Sequence, residues 1–134
     1  MVKMSSVYQG QLHCEITHGP SNSKIETDAP KDNQGKGERF SPTDLVGAAL
    51  ASCILTTMAI VAERDGVSIE GARAEFQKEM NPQPRRIASL SVQITLPAAV
   101  SPEYRSKLEH AAHACPVHKS LHPDVKIPLS FTYI

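Results

Sequence analysis

An α+β fold is the class that this 134-residue sequence predicts, and three features carry the expectation. One is a long stretch without charge, residues 45–62, inside "FSPTDLVGAALASCILTTMAIVAERDG" (40–66), which reads as a helix. Another is a set of strand-like segments on both sides of it, bounded by Gly, Pro and Asn. The third is the order of elements: strands, helix, strands, helix, strand, with no internal repeat and no low-complexity tract. One domain spanning 1–134 is expected, long enough to bury a core.

The elements follow in order. Residues 5–17, "SSVYQGQLHCEIT", read as a strand, with Val7, Leu12, Cys14 and Ile16 among polar residues. "HGPSN" is a turn by its Gly-Pro and Asn content, and "SKIETDAP" is a short second strand. "KDNQGKGERF" is polar and glycine-rich, an exposed loop. It lacks the Gly-Lys-Ser/Thr ending of a phosphate-binding loop. Ser41-Pro42-Thr43-Asp44 starts a helix, with Ser41 at the N-cap, Pro42 first in the helix and Asp44 completing a capping box. Gly66 suits its stop, and Arg64 faces the negative end of the helix dipole. "VSIEGARAEFQKEM" and "RRIASLSVQITLP" predict two antiparallel strands joined by the proline-fixed loop "NPQP". Ser101-Pro102-Glu103 opens a second helix that runs to about Ala114. Pro116 ends it and begins a short third helix, "PVHKSL". "DVKIPLSFTYI" closes the chain as a strand, in which Pro128 suggests an edge or a bulge.

Composition narrows the function. Lys plus Arg equals Asp plus Glu at 14 each, so no field of one sign exists to hold a nucleic acid or an anionic membrane. The start, "MVKMSSVYQGQ", shows no apolar signal region, and a cytoplasmic location is expected, where thiols rest reduced. Cys14, Cys53 and Cys115 are too few and too scattered for a disulfide framework. With no Trp and only three Phe and three Tyr, the core must be built from Ala, Val, Ile and Leu. The uncharged stretch approaches the length of a membrane span, yet Gly47, Ser52, Thr56 and Thr57 lie within it and no aromatic or basic anchor flanks it. Without a polar stripe it is expected to be buried on most faces, which in so short a chain calls for a second subunit.

Chemistry is carried by thiols and imidazoles. Cys53 lies in the most apolar part of the chain, either a small core residue or a nucleophile kept from water. It sits 11 residues past Pro42, roughly 16 Å along the axis, beyond help from the helix N-terminus. Burial alone would raise its pKa, so a cation must be brought to it, from Arg39, Arg85, Arg86 or a partner subunit. Cys115, just before Pro116, sits at a helix N-terminus, where free N–H groups lower a thiol pKa. On local sequence it is the better activated of the two. Cys14 alternates with Leu12 and Ile16 and reads as core. His110, His113, His118 and His122 flank Cys115, and Cys-x-x-His is an acceptable zinc spacing, so a metal-binding module is an alternative. Solvated histidines beside a redox cysteine is the reading favoured here, with no metal and no cofactor expected. A non-catalytic dimer holding an apolar ligand near Cys53 is a further alternative. No hydrolase elbow, paired acid/base carboxylates or dinucleotide fingerprint is present.

"SPTDLVGAALASC" followed, 62 residues after Cys53, by "ACPVHKSL" resembles the OsmC/Ohr family of thiol peroxidases, the osmotically inducible and organic hydroperoxide resistance proteins. The resemblance covers nearly the whole chain. It implies antiparallel sheets packed around a long cysteine-bearing helix and a second helix, in an intertwined homodimer. It also implies reduction of organic hydroperoxides to alcohols, with Cys53 as the peroxidatic and Cys115 as the resolving cysteine. The two would close as an intrasubunit disulfide, reopened by a dithiol reductant such as a lipoyl protein. The commonest family pattern has Asn-Pro-Glu where this chain has Ser41-Pro42-Thr43, and that Glu holds an Arg over the thiol. Asp44 is the nearest substitute for the carboxylate, and Arg39, with no Arg before it, is the candidate thiolate partner. These departures place the chain in a divergent branch.

Overall fold

The structure is a computed structural model that describes every residue from Met1 to Ile134. The chain divides into two compact units, Met1–Val46 and Gly47–Ile134.

In the first unit, β1 (Met4–Tyr8), β2 (His13–His18) and β3 (Lys24–Asp28) form an antiparallel sheet in the order β1-β2-β3. The segment 5–17 is therefore a hairpin and not one strand. Gly10, Gln11 and Leu12 all take positive φ, at 86°, 54° and 59°, and reverse the chain between Gln9 and His13. Leu12 is thereby removed from the face that Cys14 and Ile16 share. Cys14 stays half-buried on β2, paired with Tyr8 on one side and Thr27 on the other. The loop after β3 is exposed, as expected, but it is tightly folded. Gly35 N–H donates to Pro30 O at 2.9 Å and Gly37 N–H to Ala29 O at 3.2 Å. A Cβ on Gly35 would fall 1.7 Å from Ala29 O, so only glycine passes there.

The long helix α1 (Pro42–Arg64) begins in this unit with the expected capping box. Ser41 N–H donates to Asp44 Oδ2 at 2.9 Å, and Asp44 N–H donates to Ser41 Oγ at 3.0 Å. Its far end, in the second unit, closes as a Schellman motif. Val67 N–H reaches Ala62 O at 2.8 Å and Gly66 N–H reaches Glu63 O at 3.1 Å, with Gly66 at φ 68°.

The second unit continues with β4 (Arg73–Pro82), β5 (Arg85–Leu96), α2 (Pro102–His113), α3 (Pro116–Ser120) and β6 (Leu129–Tyr133). β4 and β5 form the expected antiparallel hairpin, bulged at Glu79/Met80. Residues 67–72, read as strand from the sequence, are instead the turn that follows α1, with Gly71 at φ 90°. The last strand departs from antiparallel pairing: β6 runs parallel to β5, Val92 facing Leu129 through Leu96 facing Tyr133. Pro128 accepts through its carbonyl from Val92 N–H just before β6 begins, on the edge of the β4-β5-β6 sheet.

The core is aliphatic, as the shortage of aromatic rings requires. Leu50, Ile54, Met58 and Ala62 of α1, Leu90, Val92, Ile94 and Leu96 of β5, and Leu108 and Ala112 of α2 are essentially closed to water. The α1 positions recur every four residues and the β5 positions every second, so each element buries one face. Gly47 lets α1 approach the sheet, since a Cβ there would lie 3.2 Å from the Phe76 ring and 3.4 Å from Leu90. At the other end of the helix, Tyr104 OH of α2 donates to Val61 O at 3.2 Å and to Asp65 Oδ2 at 2.7 Å. The expectation that α1 is buried on most faces is not met by the chain alone. Only 33% of its most apolar 18-residue window is buried, and Ala49, Ser52, Thr56 and Ile60 line an open face. By length and composition α1 would suffice to cross a membrane.

Candidate active site

Two of the three cysteines meet. Cys53, in the middle of α1, is partly exposed, with its Sγ 4.0 Å from Thr57 Oγ1. Cys115 is the N-cap of α3, fully buried, and its Sγ accepts the backbone N–H of His118 at 3.2 Å. Cys53 is near enough to Cys115 to act on its thiol, and both are unbridged. The helix break at Pro116 makes this possible. It turns the chain out of α2 and sets Cys115 at the start of a new turn, with its sulfur directed inward.

Burial pushes the Cys115 thiol up from its ordinary value. The His118 N–H pulls it down, and the neighbouring Cys53 raises it again by hydrogen bonding and by charge repulsion. The lowering of the Cys115 pKa expected from the helix N-terminus is thus outweighed. A helix of five residues offers its N-terminal cysteine few N–H groups, and full desolvation outweighs them.

The remaining candidates make contacts of their own. Arg39 lies in the first unit, where its Nε–H donates to Glu26 Oε2 at 3.3 Å and its Nη1 donates to Glu38 O at 3.1 Å. Asp44, the sequence candidate for the carboxylate that holds this arginine, is part of the helix cap. Arg85 and Arg86 begin β5, and Arg86 approaches Asp124 at 3.7 Å. Among the clustered histidines, His113 and His118 meet edge to face at 6.1 Å, while His122 lies 3.6 Å from Asp124. No three His, Cys, Asp or Glu side chains converge closely enough to hold a metal ion. An open recess of about 620 Å³ lies against the second half of α1, between Leu55, Thr56, Ala59 and Glu63 and the turn residues Val67 and Ile69, and Cys53 is not among its walls.

Sequence reasoning missed His13, which stands between Asp28 at 2.6 Å and Glu26 at 3.1 Å. The available signal was the period of β3, which puts residues 26 and 28 on one face. The hairpin at Gly10, needed to place His13 opposite them, went unread.

Over residues 35–130 the sequence matches the family described as OsmC-like protein. No curated protein matches the chain. Among solved structures, a protein of Psychrobacter arcticus 273-4, named for osmotic stress induction and a detoxification response, is 41% identical over 98% of this chain and 96% of its own, with a TM-score of 0.93. A Legionella pneumophila organic hydroperoxide resistance protein OsmC shares the fold at 18% identity, over 98% and 96% of the two chains, with a TM-score of 0.76. The organic hydroperoxide resistance protein OhrB of Bacillus subtilis does so at 18% identity, over 98% and 97%, with a TM-score of 0.69.

Proposed function

The chain belongs to the OsmC-like protein family, and from that membership we propose that it is a thiol peroxidase that reduces organic hydroperoxides to alcohols. The observation that supports the proposal is that a partly exposed Cys53 neighbours a fully buried Cys115. Exposure supports one order of events. A peroxide can arrive at Cys53, whereas Cys115 is shielded and its thiol is pushed up by burial. The Cys53 thiolate attacks the distal peroxide oxygen; an S–O bond forms, the O–O bond breaks, and the alkoxide leaves as the alcohol after taking a proton. Cys53 is then a sulfenic acid. The Cys115 sulfur attacks it, an S–S bond forms, and water departs. An external dithiol, such as a lipoyl group, restores both thiols and is itself oxidised to a disulfide.

An ordinary cysteine is only about 3% thiolate at pH 7, so Cys53 needs a cation. Arg39 is the group to which we assign that task. The protein works as a cytoplasmic homodimer, in which a second copy covers the open face of α1; the exposed Ile60, 46% accessible, supports that reading.

The test is stoichiometry. One equivalent of cumene hydroperoxide should remove two thiols per chain and leave Cys53 joined to Cys115 in peptide maps. Cys53→Ser should abolish peroxide consumption. Cys115→Ser should consume one equivalent and stop at a sulfenic or overoxidised Cys53, and Cys14→Ser should behave as the parent. Full turnover by Cys53→Ser, with loss of the first oxidation in Cys115→Ser, would reverse the two roles.

A further inference from the structure

On one face of the first sheet Asp28, His13 and Glu26 form a row that ends at Arg39 of the following loop, and the first three have no part in the thiol chemistry above. Asp28 is 4% exposed; its Oδ1 lies 2.6 Å from His13 Nδ1, and its Oδ2 accepts Glu38 N–H at 3.1 Å. His13 Nε2 lies 3.1 Å from one oxygen of Glu26, whose other oxygen accepts Arg39 Nε–H at 3.3 Å. The register sets this up, since His13 pairs with Asp28, and Glu26, two residues away on β3, points to the same side.

Carboxylate oxygens only accept hydrogen bonds. An imidazole with a carboxylate oxygen on each nitrogen satisfies both only when both nitrogens carry protons. The row is thus a sequence of alternating charge: Asp28 minus, His13 plus, Glu26 minus, Arg39 plus. When His13 loses a proton, one link must go. The bond to buried Asp28 is the one retained, because its Oδ1 left without a donor costs more than an oxygen of Glu26, which is 41% exposed.

We propose that His13 is a pH-gated positioning residue: as an imidazolium it clamps Glu26 and so fixes the guanidinium of Arg39, and as a neutral imidazole it leaves the Glu26–Arg39 pair free to move. The sequence offers Asp44 for holding Arg39; in the structure Glu26 Oε2 accepts from Arg39 Nε–H at 3.3 Å. The functional side of the proposal rests on the reading of Arg39 as the partner of the Cys53 thiolate, while the clamp itself does not.

Every charged neighbour enters the balance. Asp28 and Glu26 face His13 from β3, Glu38, Arg39 and Lys36 from the loop that walls a recess of about 290 Å³ beside it, and the Glu15–Lys24 pair lies across from Glu26. The hydrogen bond that His13 donates to Asp28, with that to Glu26 behind it, raises the His13 pKa above 6.5 against the opposing cost of desolvation. Arg39 first, then His13, lowers that of Glu26 below 4.5. The clamp is therefore fully closed between those values. It opens as pH rises through the raised histidine value, and on the acid side it fails only when Glu26 itself is protonated. Arg39 is held in place at the low end of the neutral range, where a thiol is least ionised and has most need of a cation.

Proton exchange of the Arg39 Nε–H and the ring signals of His13, followed by NMR on the whole reduced protein from about pH 5 to about pH 9, test this. After correction for base catalysis, exchange at Arg39 should rise several-fold through the pH at which His13 titrates. The step should vanish in His13→Gln, and Glu26→Gln, which keeps the shape of the side chain, should lower the His13 pKa. A His13 pKa at or below 6.5, or exchange at Arg39 that ignores the titration, overturns the clamp. Alkylation of Cys53 across the same range separates the two claims. If Arg39→Ala reacts like the parent while the exchange step persists, the clamp stands and the thiolate role of Arg39 falls. If Arg39→Ala slows alkylation but the exchange step is missing, the reverse holds.

Discussion

Cys115 caps a helix and yet its thiol is pushed up, because a sulfur closed to water on every side gains only the N–H groups of His118 and Val117 in return. The sequence shows the cap and cannot show the burial, which depends on how α1 and α2 come together. Asp44 illustrates the opposite case. Its reciprocal bonds with Ser41 span three residues, so they are legible in the sequence itself. His13 lies between these cases: its partners are 13 and 15 residues away, and a single unread turn at Gly10 hid them. The exposure of the thiols leads to a direct prediction. Iodoacetamide on the native reduced protein should label Cys53 well before Cys115, and Cys115 should react only under denaturing conditions, as read by peptide mass spectrometry. Equal labelling of the two would remove the basis for their different roles.

Elements whose signals are local came out as read. The bounds of α1, the β4–β5 hairpin and the break between α2 and α3 each rest on a cap, a glycine or a proline. Two others rest on something else. Residues 67–72 have the apolar content of a strand, yet the Schellman closure and Gly71 curl them beneath the helix end. The direction of β6 is fixed by pairing with a partner more than 30 residues earlier, which no window of sequence reveals. Gly47 tests the close approach of α1 to the sheet. Gly47→Ala gains about 1 kcal/mol of helix propensity and meets the half-open Phe76 ring, so stability by urea titration should change by less than about 1 kcal/mol. Gly47→Leu, which must drive Leu90 aside, should cost about 1–3 kcal/mol. A harmless leucine would mean that the helix does not rest on this contact.

At the scale of the whole molecule, an aliphatic helix with one open face asks for a partner, and the uncharged stretch 45–62 already pointed there. Sedimentation at micromolar concentration should give about twice the 14.6 kDa chain mass, and Ile60→Glu, which places a charge on the open face of α1, should shift it toward the monomer. A parent that sediments as a single chain would refute the dimer. The meeting of Cys53 and Cys115 carries a consequence of another kind. The residues are 62 apart in sequence, so joining them ties a long loop in the unfolded chain and removes conformations from it; for a loop of that size the stabilisation is about 4 kcal/mol. Oxidised protein should then withstand more urea than reduced protein, dithiothreitol should erase the difference, and Cys53→Ser should never show it. Each turnover would carry the molecule between a looser and a tighter version of one fold, so that its resistance to unfolding records how recently it met its oxidant.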